Sequence, residues 1–263
     1  MDALITTVLK RPYVFAFLIA YLILSIRRWG WKKSLLWLVS GYTIAWISEY
    51  ASIHVNFPYG EYHYIYENLR GELLVGGVPF FDSLSYPFLI FAGYTTAEFI
   101  LLPLLCKEGR GEVDLPHLTS PYKGGAIVIL GALLTMLLDV IVDPIATMGD
   151  KWFLGKIHYY AHPGWYFGVP VTNFGGWFLV PLVVILLNVL LWPFFNLRST
   201  IHDSRFTWLY PLFYIGIALF NIAITFYVGE WKLGISSSVI LGIIAAFVTR
   251  AHLLSRSRQT TKS

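Results

Sequence analysis

Seven apolar windows, each close to the length a helix needs to cross a bilayer, constrain this chain more than any other feature. They cover residues 12–28, 34–55, 83–105, 124–145, 176–196, 208–228 and 235–254. A spanning helix takes roughly 20 mostly apolar residues, and lipid offers no partner to an open strand edge or an unpaired backbone amide. The expectation is an all-α, polytopic membrane protein with about seven transmembrane helices. No boundary between windows reads as a domain linker, so 1–263 is expected to be a single integral-membrane domain. Composition supports this, since 57% of residues are hydrophobic and only 13% charged, against about 25% charged in a soluble domain. Lys10-Arg11 ahead of the first window gives it the look of a signal peptide, but Arg27, Arg28, Lys32 and Lys33 follow in place of a small-residue cleavage site.

The loops divide unequally by charge. Lys10, Arg11, Arg70, Lys151, Lys156 and Lys232 fall on the N-terminal side, and the other Lys and Arg residues fall on the opposite side. The positive-inside rule then places the N-terminus outside and the C-terminus in the cytoplasm of a cell-membrane protein. The formal net charge of +4 is spread over short loops. A nucleic-acid partner would need a clustered basic face, and none is expected. Cys106 is the single cysteine, which excludes an intrachain disulfide and any Cys-x-x-Cys site.

Two outer loops differ from the rest. Residues 56–82 contain Asn56-Phe57-Pro58-Tyr59-Gly60-Glu61-Tyr62-His63-Tyr64 and then Gly77-Val78-Pro79; residues 146–175 contain His158-Tyr159-Tyr160-Ala161-His162-Pro163-Gly164-Trp165-Tyr166 and then Gly168-Val169-Pro170. Both hold Pro, Gly and Tyr within a few residues, then Gly-Val-Pro, then the next window. This pattern suggests a helix–aromatic loop–helix unit used twice in the same direction, and repeats of this kind place sites at their interface. The bland alternative is an interfacial aromatic belt with two structured caps. Long loops without the composition of disorder are usually functional.

Carboxylates precede each loop. Glu49 lies about 9 Å inside the outer end of its helix, and Asp139 about 9 Å inside its own, at 1.5 Å per residue; Asp143 is one turn above Asp139 on the same face. Burying a charge in a membrane is expensive, so intramembrane acids face partners, cavities or sites. Three acids at one depth can share a proton, which suits a proton donor beside a base. A helix-packing hydrogen-bond network is the competing explanation. Glu98 sits in a different layer, about 22 Å from the outer end of its helix, and reads as structural or as part of a lower pocket. His54, His63, His158 and His162 also lie on the outer side. His158 and His162 have a metal-ligand spacing if helical, but Pro163-Gly164 argues against a helix there.

The chain resembles the membrane carotenoid hydratases (the bisanhydrobacterioruberin hydratase and γ-carotene 1′-hydratase type). The resemblance rests on Glu49 with Asn56-Phe57-Pro58-Tyr59-Gly60-x-Tyr62, Gly77-Val78-Pro79, Asp139-x3-Asp143-Pro144, and Gly164-Trp165-Tyr166-Phe167-Gly168-Val169-Pro170-x2-Asn173-Phe174-x-Gly176-Trp177. It implies water addition, without a cofactor, across a terminal isoprenoid double bond of an acyclic or monocyclic carotene. The chemistry points to Glu49, Asp139 and Asp143 as catalytic residues, with Asp139 or Glu49 donating a proton and Asp143 orienting water. Tyr59, Tyr62, Trp165, Tyr166, Phe167, Asn173 and Trp177 are the candidate substrate-binding residues. Carotenoid, water and membrane lipid are the expected partners, and no metal site is assigned. A metal-dependent carotenoid or lipid oxygenase using the outer histidines is one alternative. A non-enzymatic carotenoid-binding or transport protein is the other, although the last window lacks the lysine a retinal protein needs.

Overall fold

A chain this apolar satisfies its backbone by folding into helices, and the apolar windows do so. The computed structural model describes residues 2–105, 121–193 and 208–260. The helices are α1 (Ala3–Lys10), α2 (Pro12–Trp29), α3 (Trp31–Val55), α4 (Phe80–Leu105), α5 (Pro121–Thr147), α6 (Val171–Leu191), α7 (Leu209–Tyr227) and α8 (Trp231–Thr260). Four short strands, β1 (Tyr62–Tyr64), β2 (Leu74–Val75), β3 (Val78–Pro79) and β4 (His158–Tyr160), belong to the two long loops. Six helices (α2 and α4–α8) are long and apolar enough to cross a membrane, and the chain is a polytopic α-helical membrane protein. α3 has 25 residues but carries Ser34, Ser48, Glu49 and Ser52, all buried, while Leu35, Val39 and Ile47 are exposed on its outer surface.

α4 is the axis of the molecule. It packs against α2, α3, α5, α6, α7 and α8, and 83% of its apolar window is buried. A helix surrounded on all sides has no polar stripe. Small residues bring α4 and α5 together: a Cβ on Gly93 would lie 2.7 Å from the Gly131 carbonyl oxygen, the close approach typical of membrane helix pairs.

α3–α4 and α5–α6 are two hairpins of the same sense, each joined by one long loop. Both loops end in the same device. β2 and β3 pair Val75 with Val78 around Gly76-Gly77, and Tyr166 bridges Val169 around Phe167-Gly168. All four turn residues have positive φ: 60°, 85°, 48° and 86°. Two-residue hairpin turns with both central residues left-handed match the twist of the flanking strands. Phe167, a non-glycine in that conformation, is held there by the turn and not by its own preference. The polypeptide then enters α4 or α6 directly after the proline, as Pro at the start of a helix allows. α6 consequently begins at Val171 and not after Gly175, where the apolar window suggested. Asn173 is therefore in its first turn, pointing into the protein.

The loops also pair with each other. β1 and β4 are antiparallel, with Tyr62 opposite Tyr160, His63 opposite Tyr159, and Tyr64 opposite His158. The common side inferred for the two loops is thus realised as direct contact. The N-terminus joins this end: Arg11 donates from Nε and Nη2 to Glu72 at 2.8 Å each and from Nη1 to the Leu154 carbonyl. Arg11, counted from sequence as a loop charge, is 2% exposed. It clamps both loops, with a bidentate geometry that a buried guanidinium requires. At the opposite end Glu98 accepts from Arg28 at 2.7 Å, a buried pair remote from the loops, in keeping with its assignment to another layer.

Candidate active site

Strand alternation gives the loop tyrosines their direction. In β1, Tyr62 and Tyr64 point inward and His63 outward, so both phenols reach back to the acid on α3. Tyr62 and Tyr86 each donate a short hydrogen bond to Glu49, and Tyr64 donates to Asp82 at 2.5 Å with Glu49 3.2 Å from its hydroxyl. β4 does the same for α5. Tyr160 donates to Asp143 at 2.5 Å, and the His158 Nε2 lies 3.3 Å from the other oxygen of Asp143. Asn173 bridges the two acids of α5, donating to Asp139 at 2.8 Å and to Asp143 at 3.3 Å. Among the described residues, Asn173 provides the one hydrogen bond to the Asp139 carboxyl.

Burial pushes the Tyr62, Tyr64 and Tyr160 phenols well above their ordinary range, and the neighbouring carboxylates add to the effect. All three therefore remain O–H donors. At His158, burial opposes protonation, but the hydrogen bond and charge of Asp143 outweigh it, and the imidazole is held above its usual value.

The acids surround a cavity of about 110 Å³ whose wall includes Glu49, Asp82, Asp139, Asp143, His158 and Trp177. Trp177 stacks on Tyr86 with centroids 4.2 Å apart and planes at 11°. Tyr59 closes another side; its hydroxyl meets Ser48 at 2.9 Å, and its ring lies against Gly176, where a Cβ would collide with it. A second cavity of about 110 Å³ adjoins the first and is lined mainly by apolar side chains, including Phe17, Phe88, Ile217 and Phe220. Asp82, Ser85, Leu89, Val142, Ala146 and Ile157 line both.

Of the residues singled out from sequence, Glu49, Asp139, Asp143, Tyr59, Tyr62, Asn173 and Trp177 converge on the polar cavity. Trp165, Tyr166 and Phe167 belong to the second hairpin turn and do not line it; Trp165 is 81% exposed. His158 joins the site, whereas the His162 side chain is 88% exposed and the two histidines do not act as a pair. Among the described residues, no group of three or more His, Cys, Asp or Glu side chains is placed to hold a metal ion.

Asp82, Tyr64, Tyr86 and Tyr160 were not singled out. For Asp82 a signal existed. Gly77-Val78-Pro79-x2-Asp82 and Gly168-Val169-Pro170-x2-Asn173 have the same spacing, so Asp82 is the counterpart of Asn173. By the same count Tyr86 is the counterpart of Trp177, and these two rings stack face to face between the hairpins.

Bisanhydrobacterioruberin hydratase of Haloarcula japonica is 28% identical over 159 residues, covering 60% of this chain and 45% of the relative. The matched part thus spans less than half of that protein's length. No solved structure matches. The family model of the carotenoid biosynthesis proteins matches residues 10–248, which include both hairpins and all four acids of the cavity, and the chain belongs to that family.

Proposed function

We propose that the protein is a carotenoid hydratase, a hydro-lyase that adds water across a terminal isoprenoid C=C of an acyclic or monocyclic carotene. The observation that carries this reading is the sharing of a wall between an acid-lined cavity and an apolar one. Hydration of a trisubstituted alkene needs both media at one point. A carboxylic acid protonates the less substituted carbon, and the tertiary cation that results is captured by water. The new oxonium then loses a proton to a carboxylate. Asp143, approached by Tyr160, Asn173 and His158, is suited to orient that water and take its proton, with Asp139 beside it. General acid–base assistance of this kind is worth about 10²–10⁴ in rate. The face of Trp177 is placed to steady the cation, a contribution of about 0.5–2 kcal/mol. The hydratase activity carried in the relative's name agrees with this chemistry.

In the same reading α3 crosses the membrane with the other six helices, because its polar residues face inward and its outer surface is aliphatic. That gives seven crossings, with the N-terminus and the loop end outside by the Lys and Arg bias.

Expression in a host that accumulates acyclic carotene tests the function. The expected product is 18 mass units heavier, with its oxygen derived from labelled water. Oxygen incorporated from O₂ would replace the hydratase with an oxygenase. An unchanged carotene bound to the purified protein would replace it with a binding or transport protein.

A further inference from the structure

We infer that Asp82 is the acid that protonates the alkene. The inference rests on the hydratase reading and assigns within it a role that neither loop motif pointed to. Four carboxyl groups line the polar cavity, but Asp82 alone among them also lines the apolar one. Glu49, Asp139 and Asp143 all lie on the polar side of this shared wall.

The apolar cavity limits what can reach that wall. A dry cavity of about 150 Å³ holds one benzene, so a space of about 110 Å³ takes roughly one isoprene unit and not a polyene. The carotene enters end-on, with its chain left outside. The half-buried Tyr13, Phe17 and Phe220 lie where α2 meets α7, with the Tyr13 and Phe220 rings stacked 5.7 Å apart. All three line the apolar cavity and are partly exposed, so this seam is the entry assigned to the end group. An end group entering here has its terminal C=C against Asp82 before any other acid.

The surroundings of Asp82 suit a donor. Its carboxyl accepts one hydrogen bond, from Tyr64, whereas Glu49 accepts two, from Tyr62 and Tyr86, with the Tyr64 hydroxyl 3.2 Å away. In the reaction the Asp82 O–H bond breaks, and the alkene π pair forms the new C–H bond. The tertiary cation left behind takes a lone pair from water to form the C–O bond. The oxonium proton passes to Asp143 and is returned to Asp82 before the next turnover, so the sum is alkene plus water giving alcohol. The pseudo-symmetry of the hairpins makes the assignment sharper. At the counterpart position the other hairpin has Asn173, which has no acidic proton to give and instead ties Asp139 to Asp143.

The test compares wild type, Asp82→Asn and Asp82→Glu in the carotene-accumulating host and as detergent-purified protein. Wild type must give the product heavier by 18; if it does not, the hydratase reading fails and this inference fails with it. With wild type active, Asp82→Asn is expected to lose about 10²–10⁴ in turnover while the purified variant still retains carotene, read by its visible absorption. Turnover by Asp82→Asn within threefold of wild type overturns the assignment and leaves the hydratase reading standing. Should Asp82→Asn not accumulate as a monodisperse protein, Asp82→Glu decides. Displacing the acid by one methylene is expected to slow turnover by about 10- to 100-fold, and an unchanged rate overturns the inference.

Discussion

In the α3–α4 half of the polar cavity Glu49 faces three phenol hydroxyls, Tyr62 and Tyr86 donating to it and Tyr64 lying 3.2 Å away. In the α5–α6 half Asp139 receives one amide N–H, and Asp143 faces an imidazole. The frames are alike: a helix bearing acid, a strand returning a tyrosine to it, a two-residue turn, then Pro and the next helix. The difference lies in the donors. A carboxyl surrounded by hydroxyls is held in place by a network whose members all depend on it. One with a single partner keeps an oxygen for a ligand. Glu49 therefore reads as the anchored acid of the first half, with the proposed donor Asp82 beside it, and Asp139 as the open acid of the second half, beside Asp143.

The largest expected effect is common to both halves. Glu49→Gln and Asp139→Asn should each lower turnover by about 10²-fold by displacing Tyr64 from Asp82 and Asn173 from Asp143, measured as hydrated product per unit of purified protein. Their stabilities should separate. Glu49→Gln leaves buried phenols competing for one amide oxygen, at about 1–3 kcal/mol, and should melt earlier in detergent, whereas Asp139→Asn should not. Equal melting temperatures would break the distinction between an anchored Glu49 and an open Asp139, and retained hydration in both variants would make these two acids architectural.

Removing one donor from each side is a smaller change. Tyr160→Phe is expected to reduce turnover by about tenfold, the worth of one hydrogen bond to a charged group, because in the proposed mechanism Asp143 orients water. Tyr62→Phe should act mainly on thermal stability. The reverse pattern, read by initial rates and melting curves, would exchange the roles of the halves.

His158 provides a test in pH. Its imidazole is held above the usual value of about 6.5 in the folded protein by Asp143. A group with a raised folded value contributes stability that is complete below the unfolded value and lost as pH rises through the folded one. Wild type in detergent is therefore expected to lose a few degrees of melting temperature between pH 6 and pH 9, and His158→Gln to show a flatter profile. Identical profiles would remove the His158–Asp143 contact from the energetics of the second half.

The smallest effect is expected at Trp165. It is 81% exposed on the turn before α6, so Trp165→Ala should leave the rate constant of turnover unchanged and weaken carotene retention by no more than a few-fold. A loss approaching that of the acid variants would bring this turn over the cavity during catalysis.

Glu49, Asp139 and Asp143 were legible because a carboxylate inside an apolar helix needs a reason. Asp82 was not, because an acid in the first turn of a helix is ordinary and favourable; only the match with Asn173 across the two Gly-Val-Pro segments marks it. Tyr64 and His158 looked like belt aromatics and a loop histidine. Their roles come from one register, Tyr64 opposite His158 across β1 and β4, which joins residues 94 positions apart in a chain where no local periodicity relates them. Tyr86 was hidden for another reason: α4 packs against six other helices, so no single apolar stripe indicates which of its faces meets Glu49.

By itself the sequence determined that this chain is helical and membrane-spanning, that two aromatic loops share a side, and that three acids lie at one depth beneath them. Those conclusions follow from transfer energies and from the fixed rise of a helix, which are properties of short segments. The tertiary structure decided which acid faces the apolar cavity, which tyrosine satisfies which carboxyl, and that the loops close on one another. Those depend on strand register and on the angles at which α3 to α6 meet, and both are set by the packing of the whole bundle.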